Sequence, residues 1–455
     1  MNIAKAFARK ALLAFGYPRF ETSHPDLAVY EVGAIRVRIA PNLPACQFFY
    51  PVDTNSKRDN DDFVPYFREE AVKGLLNYMN GFGDGIMQIL EEKAHPLQET
   101  YGVDPLILSS GEKLPLVLFS HGLSGNMEMY TELCAQLAST GCVVVATEHE
   151  DGSASYSSRV LEDGTVQPIL YKPPLPNSKV PYSRQKVLDF RTPMLEQRVD
   201  EMRGVYEYFR DENHPAATEA DDESVVRKIL SVTDPTKLHL VGHSFGGATQ
   251  LLAAQKWITE GTSQTVPVTT AAVAAVASSA DGSGTVSRAA TSTMAVDTSS
   301  SSPAPFPQSV TVFDAWNFAL PDQVLNKGIP VPSNPTEARN SVPVVVSILS
   351  EDWHRTSLEV EQTLQFLRNC QPSTTHSYFA RDSVHQSVSD TESFLPSVLA
   401  RKLGNRGPSE LRHRTINAMV WEFVKRTKDC GNGNGEINED DDDDDDEILI
   451  KLPLR

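Results

Sequence analysis

The pentapeptide Gly242-His243-Ser244-Phe245-Gly246 constrains the fold of this chain more than any other feature. An apolar run, Leu238–Val241, precedes it, and a helix-compatible run, Ala248–Ile258, follows it. A chain that passes from strand to helix within so few residues must turn sharply. Glycines two positions before and after Ser244 remove side chains that would collide in that turn. Other short apolar runs fit the same plan: Leu116–Phe119, Cys142–Ala146, Val310–Phe313 and Val342–Leu349 read as strands. Met129–Ser139 has a helical pattern. Met194–Phe209 repeats apolar residues at helical spacing through Leu195, Val199, Met202, Val205, Tyr206 and Phe209. Strands separated by helix-length intervals predict an α/β domain, a mostly parallel central sheet flanked by helices.

That domain is assigned to residues 30–428, with two segments set apart from its core. In Thr262–Pro303, Ala, Ser and Thr supply 27 of 42 residues, which leaves little apolar area to offset ordering entropy. A disordered insertion is expected there. From Asp429 to the end, glycines and asparagines lead into the acidic run Glu439–Glu447, and a flexible acidic tail over 429–455 is expected. EF-hand spacing is absent from it. Residues 1–29 begin with Lys5, Arg9, Lys10 and Arg19 ahead of the first acid, Glu21. Ile3, Phe7 and Leu12 share one helical face, so an amphipathic first helix is expected, with a membrane-surface or transit segment as the alternative.

Charge and cysteine content narrow the setting. Lys and Arg number 41 against 60 acids, a formal charge of −19, and the run Glu439–Glu447 carries nine of those acids. The remaining surface is still acidic and repels phosphate backbones, so no nucleic-acid partner is expected. No apolar run approaches the roughly 18 residues that span a bilayer. The five cysteines are scattered, without a CxxC pair, and read as reduced, buried thiols. With no secretory hydrophobic region, and Asn2 where myristoylation needs glycine, a cytoplasmic protein is expected, at most peripheral to membranes.

The pentapeptide also fits G-x-S-x-G, in which a strained turn presents a serine nucleophile. Serine needs a histidine to take its proton and a carboxylate to orient that histidine. In folds with this turn, acid and base follow the serine in that order. Asp314 ends the strand Val310–Phe313; Asp352 follows the next strand, and Asp322 is a third choice. His385 lies in a polar loop, with His354 and His376 as rivals. His243 and His121 are expected to bond structurally. A tetrahedral oxyanion needs two donors. One is the N–H of Phe245; the other is assigned to Leu123, with Gly122 the alternative, in the loop Ser120-His121-Gly122-Leu123-Ser124-Gly125. No metal or cofactor is expected.

Five segments stand in order along the chain: Leu116–Gly125 with Tyr130 and Leu133, Glu148–Ser155, Gly242–Ala248, Asp314-Ala315-Trp316 and Ser383-Val384-His385-Gln386. Together they resemble the platelet-activating factor acetylhydrolase family, the plasma and type II intracellular group of the α/β-hydrolases. Weaker similarity begins near Val32 and runs through Phe49-Tyr50-Pro51. The resemblance selects Asp314 and His385 among the rivals. It implies an α/β-hydrolase fold and a calcium-independent serine esterase that removes an acetyl or a short or oxidised acyl chain from the sn-2 position of a phospholipid. A phospholipid partner and transient membrane-surface contact follow from it. An esterase of the same fold acting on another small ester is the alternative, and an idle binding module the distant one. Ser124 departs from the family, standing where a glycine is common.

Overall fold

β-branched and aromatic residues concentrate in short runs along this chain, and those runs are its strands. The computed structural model describes residues 20–53, 63–79, 93–173, 183–211, 221–264, 305–331, 342–354, 357–391, 409–431 and 448–454. Within these, β1 (Glu31–Arg38), β2 (Ala45–Val52), β3 (Leu114–Ser120) and β4 (Val143–Thr147) enter one sheet. So do β7 (Thr233–His243), β8 (Ser309–Phe313), β9 (Val344–Ser350), β10 (Thr375–Ala380) and β11 (Leu449–Lys451). The spatial order is β1-β2-β4-β3-β7-β8-β9-β10-β11. The six strands from β4 to β10 run parallel, while β1, β2 and β11 are antiparallel to their neighbours. A separate hairpin, β5 (Tyr156–Val160) with β6 (Val166–Leu170), stands outside the sheet.

Parallel strands buried on both faces need helices on both sides. The covering helices are α1 (Glu69–Tyr78), α2 (Thr131–Ser139), α3 (Arg184–Arg210), α4 (Asp221–Val232), α5 (Phe245–Gln264), α6 (Ser357–Arg368) and α7 (Ser409–Gly431). Two apolar layers result. One holds α3, α4 and α5 against Leu116, Leu118, Leu240 and Val312. The other holds α2 and α7 against Val117, Phe119, Val241 and Val346. Side chains that alternate along β3 therefore divide between the two layers, as the period of a strand requires. This is the α/β-hydrolase architecture expected from the sequence.

Strand order fixes where a site can form. β3 has β4 on one flank and β7 on the other, so the chain's winding reverses there. In open parallel sheets that reversal leaves a crevice at the strands' carboxyl ends. Ser120 and His243 are the last residues of β3 and β7, and Ser120 pairs with Gly242 at that edge.

The structure corrects some boundaries. Helix α3 begins at Arg184, ten residues ahead of the periodic stretch, and carries Pro193 within it. The chain's end is not all tail. Leu449–Lys451 pairs with Tyr378–Ala380 and closes the sheet's edge, and α7 runs on to Gly431. Apolar Leu449 and Ile450 find a sheet edge that local composition does not reveal, because the acidic run precedes them directly. Most of the Ala/Ser/Thr-rich insertion and the proposed first-helix residues lie outside the described residues, although α5 extends to Gln264.

Candidate active site

Ser244 occupies the turn between β7 and α5 with φ of 56°, a left-handed conformation that costs a non-glycine residue energy. Backbone contacts hold it there: Ser244 N–H donates to Phe313 O at 2.9 Å, and Trp316 N–H donates to Ser244 O at 2.8 Å. Gly246 explains the pattern's last glycine, since a Cβ there would lie deep inside contact with the backbone of Ser120 and His121. The turn is thus clamped between β3 and β8.

Asp314 follows β8 and His385 follows β10, both at the same edge. His385 Nε2 lies 3.0 Å from Ser244 Oγ, and Nδ1 lies 3.0 Å from Asp314 Oδ2. An acceptor carboxylate at Nδ1 places the ring proton there and leaves Nε2 to accept from the serine. Asp314 is fully buried, and Ser350 satisfies it twice, N–H to Oδ1 at 2.7 Å and hydroxyl to Oδ2 at 2.6 Å. Trp353 stacks on His385 with ring centroids 4.3 Å apart and planes inclined by 12°. Neither Ser350 nor Trp353 stood out in the sequence. Their one signal is their place at or just past the end of β9, beside Asp352.

The rival acids and His376 lie elsewhere. Asp352 is exposed, and Asp322 is exposed and paired with Arg184. His376 sits within β10, and burial pushes its pKa down to about 4. The His354 side chain lies outside the described residues. His243 packs 4.6 Å from the His385 ring, and burial, followed by that neighbour, holds its pKa well below the ordinary imidazole range. It stays neutral and bonds to the Tyr130 hydroxyl at 2.8 Å. His121 bonds to Gly122 O and is likewise held neutral by burial.

The loop after β3 completes the site. Gly122 N–H donates to the Tyr130 hydroxyl at 3.1 Å, whereas the N–H of Leu123 has no partner among the described residues. Phe245 N–H opens α5, where no intrahelical acceptor exists. Ser124 has φ of 56°, so its position favours glycine, which accounts for the family residue there. Behind the loop, Arg198 is fully buried, pairs with Asp151 at 2.9 Å and donates to His121 O at 2.7 Å. Ser124 N–H and Ser155 N–H tie the loop to 151–155.

A cavity of about 480 Å³ opens over Ser244 and His385, with Leu75, Tyr78, Met79, Leu123, Trp316 and Trp353 in its walls. This can hold a short apolar chain beside an ester. Among the described residues one trio, Glu21, Glu132 and His413, comes close enough to grip a cation. None of the three lines the cavity, and Glu132 is already paired with Arg412.

Residues 29–448 match the family model of platelet-activating factor acetylhydrolase, isoform II. The platelet-activating factor acetylhydrolase of Bos taurus is 34% identical over 149 residues, 31% of this chain and 32% of that protein. That of Canis lupus familiaris is 31% identical over 153 residues, 32% of this chain and 33% of its own length. The aligned stretch thus spans about a third of these relatives. A ferulic acid esterase from Streptomyces cinnamoneus superposes with a TM-score of 0.49 at 12% identity, covering 88% of this chain and 90% of that one.

Proposed function

The chain belongs to the platelet-activating factor acetylhydrolase, isoform II, family, and from that premise we propose that it is a serine esterase cleaving the sn-2 acetyl, or a short or oxidised acyl, ester of glycerophospholipids. The observation that carries this reading is the His385 ring held at 3.0 Å from both Ser244 Oγ and Asp314 Oδ2, beside an apolar cavity. In the proposed reaction His385 Nε2 takes the Ser244 proton as Oγ attacks the ester carbonyl. The oxyanion receives hydrogen bonds from the N–H groups of Phe245 and Leu123. His385 then returns the proton to the departing sn-2 oxygen, releasing the lysophospholipid. Water, deprotonated by the same nitrogen, frees the short acid from Ser244. Asp314 orients the ring and stabilises its charged form.

The free N–H of Leu123 supports it over Gly122, whose amide is committed to Tyr130. No step needs a metal. Four described cysteines, Cys46, Cys134, Cys142 and Cys370, are buried free thiols, which supports a reducing, cytoplasmic setting. No helix among the described residues is long and apolar enough to cross a membrane. Exposed Tyr78, Val166 and Leu170 lie on or next to elements bordering the cavity, which supports transient contact with a lipid surface. A fluorophosphonate should label Ser244 stoichiometrically, and turnover should fall as the sn-2 chain of phosphatidylcholine lengthens from acetyl. Absence of labelling sinks the esterase reading. Labelling with no hydrolysis of any sn-2 short-chain phospholipid moves the substrate to another small ester.

A further inference from the structure

Helix α2 begins without a cap of its own. Its first flanking residue is Tyr130, which offers no side-chain hydrogen bond to the exposed amides of the first turn. The cap comes from Asp390, far along the chain and five residues past His385. Asp390 Oδ2 accepts from Thr131 N–H at 2.5 Å, and Oδ1 accepts from Glu132 N–H at 3.3 Å. Its own N–H donates to Met129 O at 2.7 Å, and Tyr66 donates its hydroxyl to Oδ2. The fully buried Asp390 thus holds residues 129–132 through two attachments, its carboxylate on the amides of Thr131 and Glu132 and its own amide on Met129.

What it grips matters. Tyr130 lies inside that clamp, and its hydroxyl takes the Gly122 N–H while bonding to His243. Burial keeps the phenol protonated, so it accepts from Gly122 and donates to the His243 ring. On the other side, the chain from Val384 to Asp390 is a tight turn whose internal bonds include Ser387 N–H to Val384 O and Ser389 N–H to Gln386 O. The Asp390 end of this turn is fastened to α2, and the His385 end reaches Ser244.

We propose that Asp390 is a positioning residue that holds the His385 turn in register with the segment bearing Gly122 and Leu123. This rests on the esterase reading above. The charge serves two amides at a helix N-terminus, where the helix field also favours an anion. A shift of either loop changes the distance between the proton acceptor and the oxyanion donors at once.

Asp390→Asn separates this role from simple stabilisation. The amide keeps the side-chain volume but replaces one acceptor oxygen with NH2, so one of the two helix amides loses its partner. Fluorophosphonate labelling of Ser244 should slow about 10- to 100-fold, as expected for a misplaced catalytic group. With 4-nitrophenyl acetate, kcat should fall by a similar factor while KM moves less than about threefold. Measurement well below the thermal midpoint, with circular dichroism confirming the fold, removes the contribution of unfolding. Asp390→Ala should slow labelling further; if it does not fold, Asp390→Asn decides alone. Wild-type labelling and kcat in folded Asp390→Asn overturn the proposal, even with a lowered midpoint. If the wild-type chain itself does not label, it is the esterase reading that fails.

Discussion

Asp314 is distinguished from its rivals by what surrounds it. Sequence placed both Asp314 and Asp352 just after strands, but one carboxylate is fully buried against Ser350 and His385 while the other faces solvent. Asp314→Asn should lower kcat by about 10⁴, the cost seen when a triad loses the carboxylate that sets its histidine's tautomer. Asp352→Asn should stay within about threefold of wild type, the expectation for an exposed side chain outside the triad. Reversed effects in steady-state assays would move the acid to the turn after β9. Ser350→Ala keeps the amide donor and loses the hydroxyl. One hydrogen bond to a charged group is worth about 1.5–3 kcal/mol, so kcat should fall about 10- to 100-fold in the same assay. Ser350 was not legible in the sequence, because a serine at a strand's end announces nothing until Asp314 lies beside it.

At the scale of elements, the turn between β7 and α5 and the edge strand β11 respond differently to change. Gly246→Ala places a methyl group against the carbonyls of Ser120 and His121, which are backbone atoms of a central strand and its loop. They cannot move aside, so the variant should fail to give folded, soluble protein, read by loss of a cooperative melting transition. The glycine was legible because the turn's geometry is local. β11 was not. Truncation after residue 447 removes the antiparallel partner of Tyr378–Ala380, together with the bonds Arg381 N–H to Ile448 O and Leu452 N–H to Ser377 O. Each such bond contributes about 1 kcal/mol net, partly offset by the freed chain's entropy, so about 1–2 kcal/mol should be lost. Denaturant melts would show it as a lower midpoint. An unchanged midpoint would mean that β11 adds nothing to the sheet.

The described residues form two apolar layers, and residues 265–304, which lie outside them, are rich in Ala, Ser and Thr and offer little apolar area to bury. Joining Gln264 to Pro305 through a short linker should therefore leave the melting transition and hydrolysis of a small soluble ester nearly intact, within about threefold. Loss of the transition would place that segment in the core. Unchanged hydrolysis of a soluble ester with altered activity on phospholipid aggregates would make it a cover over the cavity. Activity should also persist in EDTA, since the proposed proton transfers run entirely through His385. Loss of activity restored by calcium would contradict that chemistry.

Sequence alone determined the α/β class, the parallel core strands and the strained serine turn, because each depends on period, local sterics and a few neighbouring residues. It also placed the proposed acid and base after Ser244, though separating them from Asp352, Asp322, His354 and His376 needed resemblance as well as position. Only the tertiary structure decided which buried groups serve which partners. Ser350 reaches Asp314 from a neighbouring strand, Trp353 lies flat on His385, and Asp390 caps a helix about 260 residues before it. β11 likewise finds β10 across the length of α7 and the acidic run. The reason is physical: a hydrogen bond or a stacked ring depends on distance in space, and strand order in the sheet, not spacing along the chain, sets that distance.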